Sequence, residues 1–379
     1  MRFSIDRDRF VHDVQNVTKA VSSRTTIPIL TGIKIVAHSE GLTLTGSDSD
    51  ISIETFIPKE EEGFEIVRIE EQGSIVLQAR FFAEIVKKLP GSEIELIVQN
   101  QFATTIRSGS SVFNLIGLDP EEYPRLPQLE ENLLFRLPQD MLKNVIRQTV
   151  FAVSTQETRP VLTGVNLETE DNTLICTATD SHRLAMRKAT IEKNDESLTF
   201  SNVVIPGKSL NELSKIIDDN HELIDVVVTE NQVLFKMKNL LFFSRLLEGK
   251  YPVTKSMIPT QSKTTLKLKT KPFLQTLERA LLLSREGKNN VINLKTLNNG
   301  LIEITSISPE VGKVTENIET QMQGEEMRIS FNGKNIIDAL KVMDSEEFDI
   351  VFTGAMSPFV IRPIDDDHYL HLFSPVRTY

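Results

Sequence analysis

Apolar and polar positions along the chain follow two rhythms, and their order sketches a small α+β unit. Phe10, Val11, Val14 and Val17 recur at helical spacing behind Asp6, whose carboxylate can accept from a free backbone N–H, and predict a helix to about Ala20. Strict alternation over Gly32–Ala37 and Leu42–Gly46, joined by Ser39-Glu-Gly41, predicts a hairpin. Further strands are expected at Arg2–Ile5, Ile51–Ile57, Glu65–Ile69 and Ser74–Gln78. A second helix from about Arg80 to Leu89 ends at Pro90-Gly91, and strands at Glu93–Val98, Phe102–Ser108 and Ser111–Gly117 complete the unit.

The same order returns twice. A strand at Leu134–Leu137, a helix over Gln139–Ala152 and a hairpin of Val161–Glu168 with Thr173–Thr177 open the second copy. Val203–Ile205, a helix from Lys208 to about Ile217, and strands at Leu223–Thr229, Gln232–Met237 and Leu241–Leu247 close it. The third copy runs through Thr265–Leu268, a helix over Lys271–Ser284, a hairpin of Val291–Thr296 with Leu301–Ser306, and Arg328–Phe331. It ends with a helix from Lys334 to about Met343 and strands at Asp349–Thr353, Phe359–Pro363 and Tyr369–Phe373. Pro28 and Pro160, Gly32 and Gly164, and Asp48 and Asp180 all stand 132 residues apart, and Tyr123-Pro124 returns as Tyr251-Pro252. Such spacing marks duplicated structure. Three tandem modules are expected at 1–127, 128–254 and 255–379, each with two helices and about eight strands.

Composition adds an electrostatic question. The 379 residues carry a net charge of −11, which by itself argues against a polyanionic partner. The helices tell otherwise: Arg7, Arg9, Lys19, Arg80, Lys87, Lys88, Lys143, Arg147, Lys208, Lys215, Lys271, Arg279, Arg285, Lys334 and Lys341 face only seven carboxylates. Fifteen cations against seven anions set the helices at +8 and the remainder at −19. Arg80, Lys208 and Lys334 recur at the start of each second helix, where a cation opposes the helix dipole, so local stability does not account for them. Two readings remain: ordinary amphipathic helices that happen to be basic on their wet face, or a shared basic surface facing a polyanion. Twelve helices of ~10 Å diameter, from two chains, would ring a hole on the order of 28 Å; a duplex is about 20 Å across. Such a ring would touch phosphates without reading sequence.

Catalytic readings find little support. Asp180-Ser181-His182 are neighbours, whereas a triad is assembled from distant positions, and no Gly-x-Ser-x-Gly elbow, P-loop or Gly-x-Gly-x-x-Gly is present. The six histidines lack metal-ligand spacing. Cys176 is the only cysteine, so no internal disulfide is possible, and it reads as a buried thiol. No cofactor, metal or membrane span is expected, and a cytoplasmic location is.

The chain resembles the family of bacterial replicative sliding clamps, the beta subunits of DNA polymerase III holoenzyme, along essentially its whole length. Pro28-Ile-Leu30, Leu44-Thr-Gly46, Arg107-Ser-Gly109, Tyr123-Pro124, Ala178-Thr-Asp-Ser-His-Arg-Leu-Ala185, Glu248-Gly249 with Tyr251-Pro252, and Pro375-Val-Arg377 carry the likeness. The resemblance implies a head-to-tail homodimer: a six-domain ring that encircles duplex DNA as a processivity factor. It also implies a hydrophobic pocket between the second and third modules for short motifs of polymerase, clamp loader and repair factors. Matching positions are Leu162, Thr179, Ser181, His182, Arg183, Leu184, Pro252, Met257, Met356, Pro358, Leu372, Ser374, Pro375, Val376 and Arg377. His182 and Arg183 are expected to donate at its edge. Ser374 stands where a Met is common in the family and Ser256 where an Arg often sits. Arg24, Arg80, Gln156 and Lys208 match DNA-contact positions, while Pro160 and Val161 replace family aromatics. Phe113 and Leu115 are expected to meet Leu282 and Leu283 of a second copy.

Overall fold

A computed structural model describes residues 1–22, 24–126, 134–196, 198–284, 290–297 and 299–377. Six α-helices lie among them: α1 (Arg7–Thr18), α2 (Ala79–Lys88), α3 (Gln139–Thr149), α4 (Gly207–Ser214), α5 (Thr270–Ser284) and α6 (Gly333–Leu340). Each expected helix is present, and α1 is capped as its sequence implies, the Asp6 carboxylate accepting from Arg9 N at 2.9 Å. The 1–127/128–254 boundary and Arg285 lie outside the described residues. Two expectations need correction. Val161–Thr163 belong to a 3₁₀ turn, Pro160–Thr163, and the strand begins at Gly164, because Pro160 fixes the first residue of that turn. Strands at Arg183–Thr190, Gly312–Glu319 and Gln321–Gly324 were not foreseen. With two-residue pairs included, the three modules hold eleven, nine and nine strands among the described residues, above the eight expected.

Packing divides the chain into two compact units, and the cut runs through the second module. The first unit holds residues 1–139 and 212–246 with a short piece around 194; the second holds 140–192, 196–211 and 247–379. The cause is shared sheets. In the first unit the strands Leu134–Pro138, Leu223–Val228, Gln232–Met237, Leu240–Arg245, Ile51–Pro58, Gly41–Ser47, Gly32–His38 and Gly73–Gln78 hydrogen-bond in that order. A smaller sheet, Ser111–Ile116, Ala103–Ser108, Glu93–Val98, Arg2–Asp6 and Val67–Glu71, completes it. Phe3, Phe10 and Phe82 lock strand, α1 and α2 together edge to face, at 6.0 and 5.8 Å, all fully buried.

The second unit repeats the plan. Val203–Pro206, Gly164–Glu170, Thr173–Thr179, Arg183–Thr190, Tyr369–Phe373, Phe359–Pro363, Glu347–Phe352, Thr264–Lys269 and Gln321–Gly324 form one sheet, and Gly312–Glu319, Leu301–Ser308, Val291–Leu297 and Arg328–Asn332 the other. Phe359 packs on Phe331, Phe352 and Phe373 at 5.9, 5.3 and 5.6 Å under α5 and α6.

Each unit therefore contains one joint between modules, and the two joints match residue for residue. Ile51–Pro58 pairs with Leu240–Arg245 from Ile51↔Ser244 to Thr55↔Leu240. Arg183–Thr190, which starts 132 residues later, pairs with Tyr369–Phe373 from Arg183↔Phe373 to Arg187↔Tyr369. Flanking bonds correspond as well: Arg245 N to Asp50 O and Phe56 N to Asn239 O in one, Ser374 N to His182 O and Lys188 N to His368 O in the other. Each module also ends by tying its tail to the strand before its own second helix, through Leu118 N to Val76 O, Leu247 N to Val204 O and Val376 N to Ser330 O.

Candidate functional site

The Ala178–Ala185 string builds a turn held by the side chains of Thr179 and Asp180. The Asp180 carboxylate accepts from the backbone N–H of His182 at 2.9 Å and of Arg183 at 3.0 Å. Thr179 Oγ1 accepts from Ser181 N and donates to Arg183 O. This holds Ser181 at φ 77°, left-handed backbone that short polar side chains tolerate best. Thr179 N donates to the buried Tyr251 hydroxyl at 3.0 Å, and burial pushes that phenol well above its ordinary pKa. The Asp-Ser-His neighbourhood is thus turn chemistry, with Ser181 and His182 left exposed.

Arg183 is committed elsewhere than expected. Its Nε meets Asp180 at 3.1 Å, one terminal nitrogen meets Asp338 of α6 at 2.9 Å, and the other donates to Phe151 O at 2.7 Å. The guanidinium also lies over the Phe151 ring, 5.3 Å from its centroid. With three of its five donors engaged it braces the joint, while His182 is exposed. Below Phe151 sits His371, wholly buried and 2.5 Å from the Tyr369 hydroxyl. Burial, helped by the Arg183 charge, lowers its pKa to about 3, so it is neutral.

Above this brace the outer face of the joint is apolar. Leu184, Met186 and Ile175 pack with Val351, Val360 and Leu372, and Ile258 and Leu370 lie against them. Leu162 belongs to an adjoining cluster with Val204 and Tyr251. Met257 and Met356 stand exposed, as do Pro358 and Arg377, while Pro252, Ser374, Pro375 and Val376 are half-buried. Sequence reasoning missed Met186, Val360, Ile258 and the exposed Val253. The strand register would have found Met186, two residues beyond Leu184 on the same face.

Other candidate residues occupy equivalent places. Arg24 and Gln156 are exposed at the tips of twin turns, in which Ser22 Oγ accepts from Arg24 N at 3.1 Å and Ser154 Oγ from Gln156 N at 3.0 Å. Arg80 and Lys208 sit exposed in the first turns of α2 and α4. The helical surplus is smaller than the sequence count. Within the helix bounds eleven cations face the seven carboxylates, since Lys19, Lys215 and Lys341 fall one residue past their helices. Arg9, Lys88, Arg147, Arg279 and Lys334 are moreover ion-paired, whereas Arg24, Arg80 and Lys271 form no ion pair among the described residues. Phe113 and Leu115 lie on the strand Ser111–Ile116, a sheet edge, where Val112, Phe113 and Ile116 are exposed. Leu282 is exposed and Leu283 half-buried at the end of α5. Among the described residues no group of three His, Cys, Asp or Glu side chains could hold a metal, and no helix is long and apolar enough to cross a membrane. Cys176 is buried, which raises its thiol pKa far above the usual range.

Comparison with known proteins places these features in a family context. Residues 1–127, 136–253 and 255–377 match the N-terminal, central and C-terminal domain models of the DNA polymerase III beta subunit. The chain is 74% identical to the beta sliding clamp of Halalkalibacterium halodurans and 62% identical to that of Bacillus subtilis, each over the whole of both chains. The crystal structure of the Bacillus subtilis DNA polymerase sliding clamp superposes with a TM-score of 0.96 over the full length of both chains. A Pseudomonas aeruginosa sliding clamp bound to griselimycin, 27% identical, superposes at 0.92, again over the whole of both chains.

Proposed function

The chain belongs to the DNA polymerase III beta subunit family, the bacterial sliding clamps, and from that premise we propose that it acts as a non-catalytic ring. Two copies close head to tail around duplex DNA, and the ring tethers polymerase, clamp loader and repair factors through short apolar peptides.

One observation carries the closure. The first module offers Ile51–Pro58 to Leu240–Arg245 of the second, and the second offers Arg183–Thr190 to Tyr369–Phe373 of the third. Continued once more, the third offers Gly312–Glu319, and the strand in the first module that corresponds to Leu240–Arg245 is Ser111–Ile116. Both lie at open sheet edges. A third joint of the same kind, made between chains, satisfies both ladders and brings Phe113 and Leu115 toward Leu282 and Leu283 of the second copy. The modules are 1–127, 128–254 and 255–379, so two chains give six.

Arg24, Arg80, Gln156 and Lys208 would touch phosphates, without base recognition and with a salt-dependent grip. Leu162, Leu184 and Leu372, rimmed by Met257, Met356, Pro358 and His182, would take the peptide, the methionines adapting to different partners. Tethering turns rebinding of a polymerase into a local, high-concentration event.

Retention on DNA tests the ring. The loaded protein should stay on a nicked circle and leave once the circle is linearised; equal retention on both would overturn topological linkage. Changing both Leu282 and Leu283 to Asp should yield folded monomers by sedimentation, and an intact dimer would refute the interface.

A further inference from the structure

A cavity of about 330 Å³ opens beside the N-terminus of α2, lined chiefly by Val21, Thr31, Gln78, Ala79, Arg80 and Phe81. Phe81 is a large aromatic left 55% exposed, although its neighbour Phe82 is fully buried in the core. The Arg80 guanidinium lies 5.8 Å from the Phe81 ring centroid, so a planar cation and an aromatic face stand together at the cavity mouth. Ser22 also lines the cavity, and two residues beyond it in the chain is the exposed Arg24. Neither arginine is ion-paired among the described residues.

Among the described residues, no aromatic follows the corresponding cation in the other modules. Lys208 is followed by the buried Ser209, and Lys334 by Asn335. In the second module Gly207, the counterpart of Ala79, is closely packed: a Cβ there would meet Thr163 O and Val153 Cγ2 at 3.1 Å and Val150 Cγ2 at 3.4 Å. The counterpart of Val150 in the first module is the smaller Thr18, and the space is open.

We propose that this cavity takes an unpaired nucleobase of single-stranded DNA, stacked against Phe81 and Arg80 with its phosphates held by Arg24 and Arg80. Aromatic and guanidinium planes are the groups on which unpaired bases stack, every base has a face to offer, and flanking cations track the backbone. A duplex keeps its bases inside the stack and would meet only the arginines. The site thus distinguishes a strand with exposed bases from one without. This rests on the reading of the chain as a DNA-encircling clamp, and the two are tested separately.

The experiment titrates the full-length protein with a short fluorescent oligothymidylate and with an abasic strand of equal length, in parallel with retention on nicked circular duplex. Phe81→Ala should weaken oligothymidylate binding about 5- to 100-fold, Phe81→Tyr should restore it, and the abasic strand should bind as weakly as the variant does. Duplex retention and melting temperature should be unchanged in Phe81→Ala. Equal affinity of variant and parent, equal binding of the abasic strand, or no measurable binding of oligothymidylate by the parent would each overturn the base pocket. Loss of retention on the nicked circle by the parent protein would instead defeat the clamp reading.

Discussion

The two joints share one backbone and differ on one face. Ile51, Ser52, Ile53 and Glu54 in the first correspond to Arg183, Leu184, Ala185 and Met186 in the second, and opposite them Phe242 and Phe243 correspond to His371 and Leu372. The first joint presents Ser52 and Glu54, half-exposed, with the Glu54 carboxylate accepting from Thr45 at 3.1 Å and its pKa raised by burial. The second presents Leu184 and Met186 beneath methionines that protrude. A hydrogen-bonded ladder suffices to fasten modules; the side chains on its outer face decide whether a joint is also a docking site. Ile51 gives way to Arg183, and a fastening that is apolar in one joint becomes ionic in the other.

Arg183→Ala should have the largest effect. It removes the Arg183 side-chain donor from the Phe151 carbonyl and one donor each from Asp180, which keeps two backbone N–H groups, and Asp338, which keeps Lys334. The loss of three hydrogen bonds in a largely enclosed position should cost about 3–5 kcal/mol. Chemical denaturation reads it directly, and Ile51→Val in the other joint, which trims only one methyl group from a buried side chain, should cost about 0.5–1.5 kcal/mol. If the two cost the same, the brace has no special role. Next, Leu184→Ser with Met186→Glu gives the second joint the face of the first. Short apolar peptides should then bind at least about 100-fold more weakly, as two buried apolar side chains are lost from the floor, with the melting temperature also lowered. Retained affinity in a fluorescence titration would show that the rim alone binds. The converse change, Ser52→Leu with Glu54→Met, should leave peptide binding where it was, because the three-residue connection 229–231 of the first joint is too short to carry a counterpart of Met356.

His371→Phe sharpens the comparison by pH, since Phe242 holds the corresponding place. The folded pKa of about 3 lies below the unfolded value of about 6.5. The unfolded chain therefore takes up the proton first, and stability, unaffected above about pH 7, falls as pH drops from 6.5 towards 3. The Phe variant should lose about 1 kcal/mol at neutral pH, with the Tyr369 hydroxyl left unbonded, yet decline less on acidification. Parallel acid melting curves for both proteins would remove His371 from the account.

Much of this was legible in the sequence because local signals and the repeat agreed. Asp6 announced α1, Pro90-Gly91 ended α2, and the 132-residue spacing aligned Arg24 with Gln156 before either turn was seen. The strand Arg183–Thr190 escaped because its charged members, Arg183, Arg187 and Lys188, interrupt the alternation; the same spacing applied to Ile51–Pro58 would have located it. Gly312–Glu319 escaped for a different reason: an edge strand with little covered on either face has no apolar rhythm to display. The brace was beyond any local reading. Asp338 is 155 positions from Arg183 in the chain, and only tertiary packing brings them to 2.9 Å.

The edge strands Ser111–Ile116 and Gly312–Glu319 are unlike, so the joint proposed between them is head to tail. A chain with such ends adds copies in one direction, and only its curvature separates a closed circlet from an endless fibre. Substitutions that straighten either internal seam by a few degrees should accordingly surface as spirals of high mass, long before any protomer loses its shape.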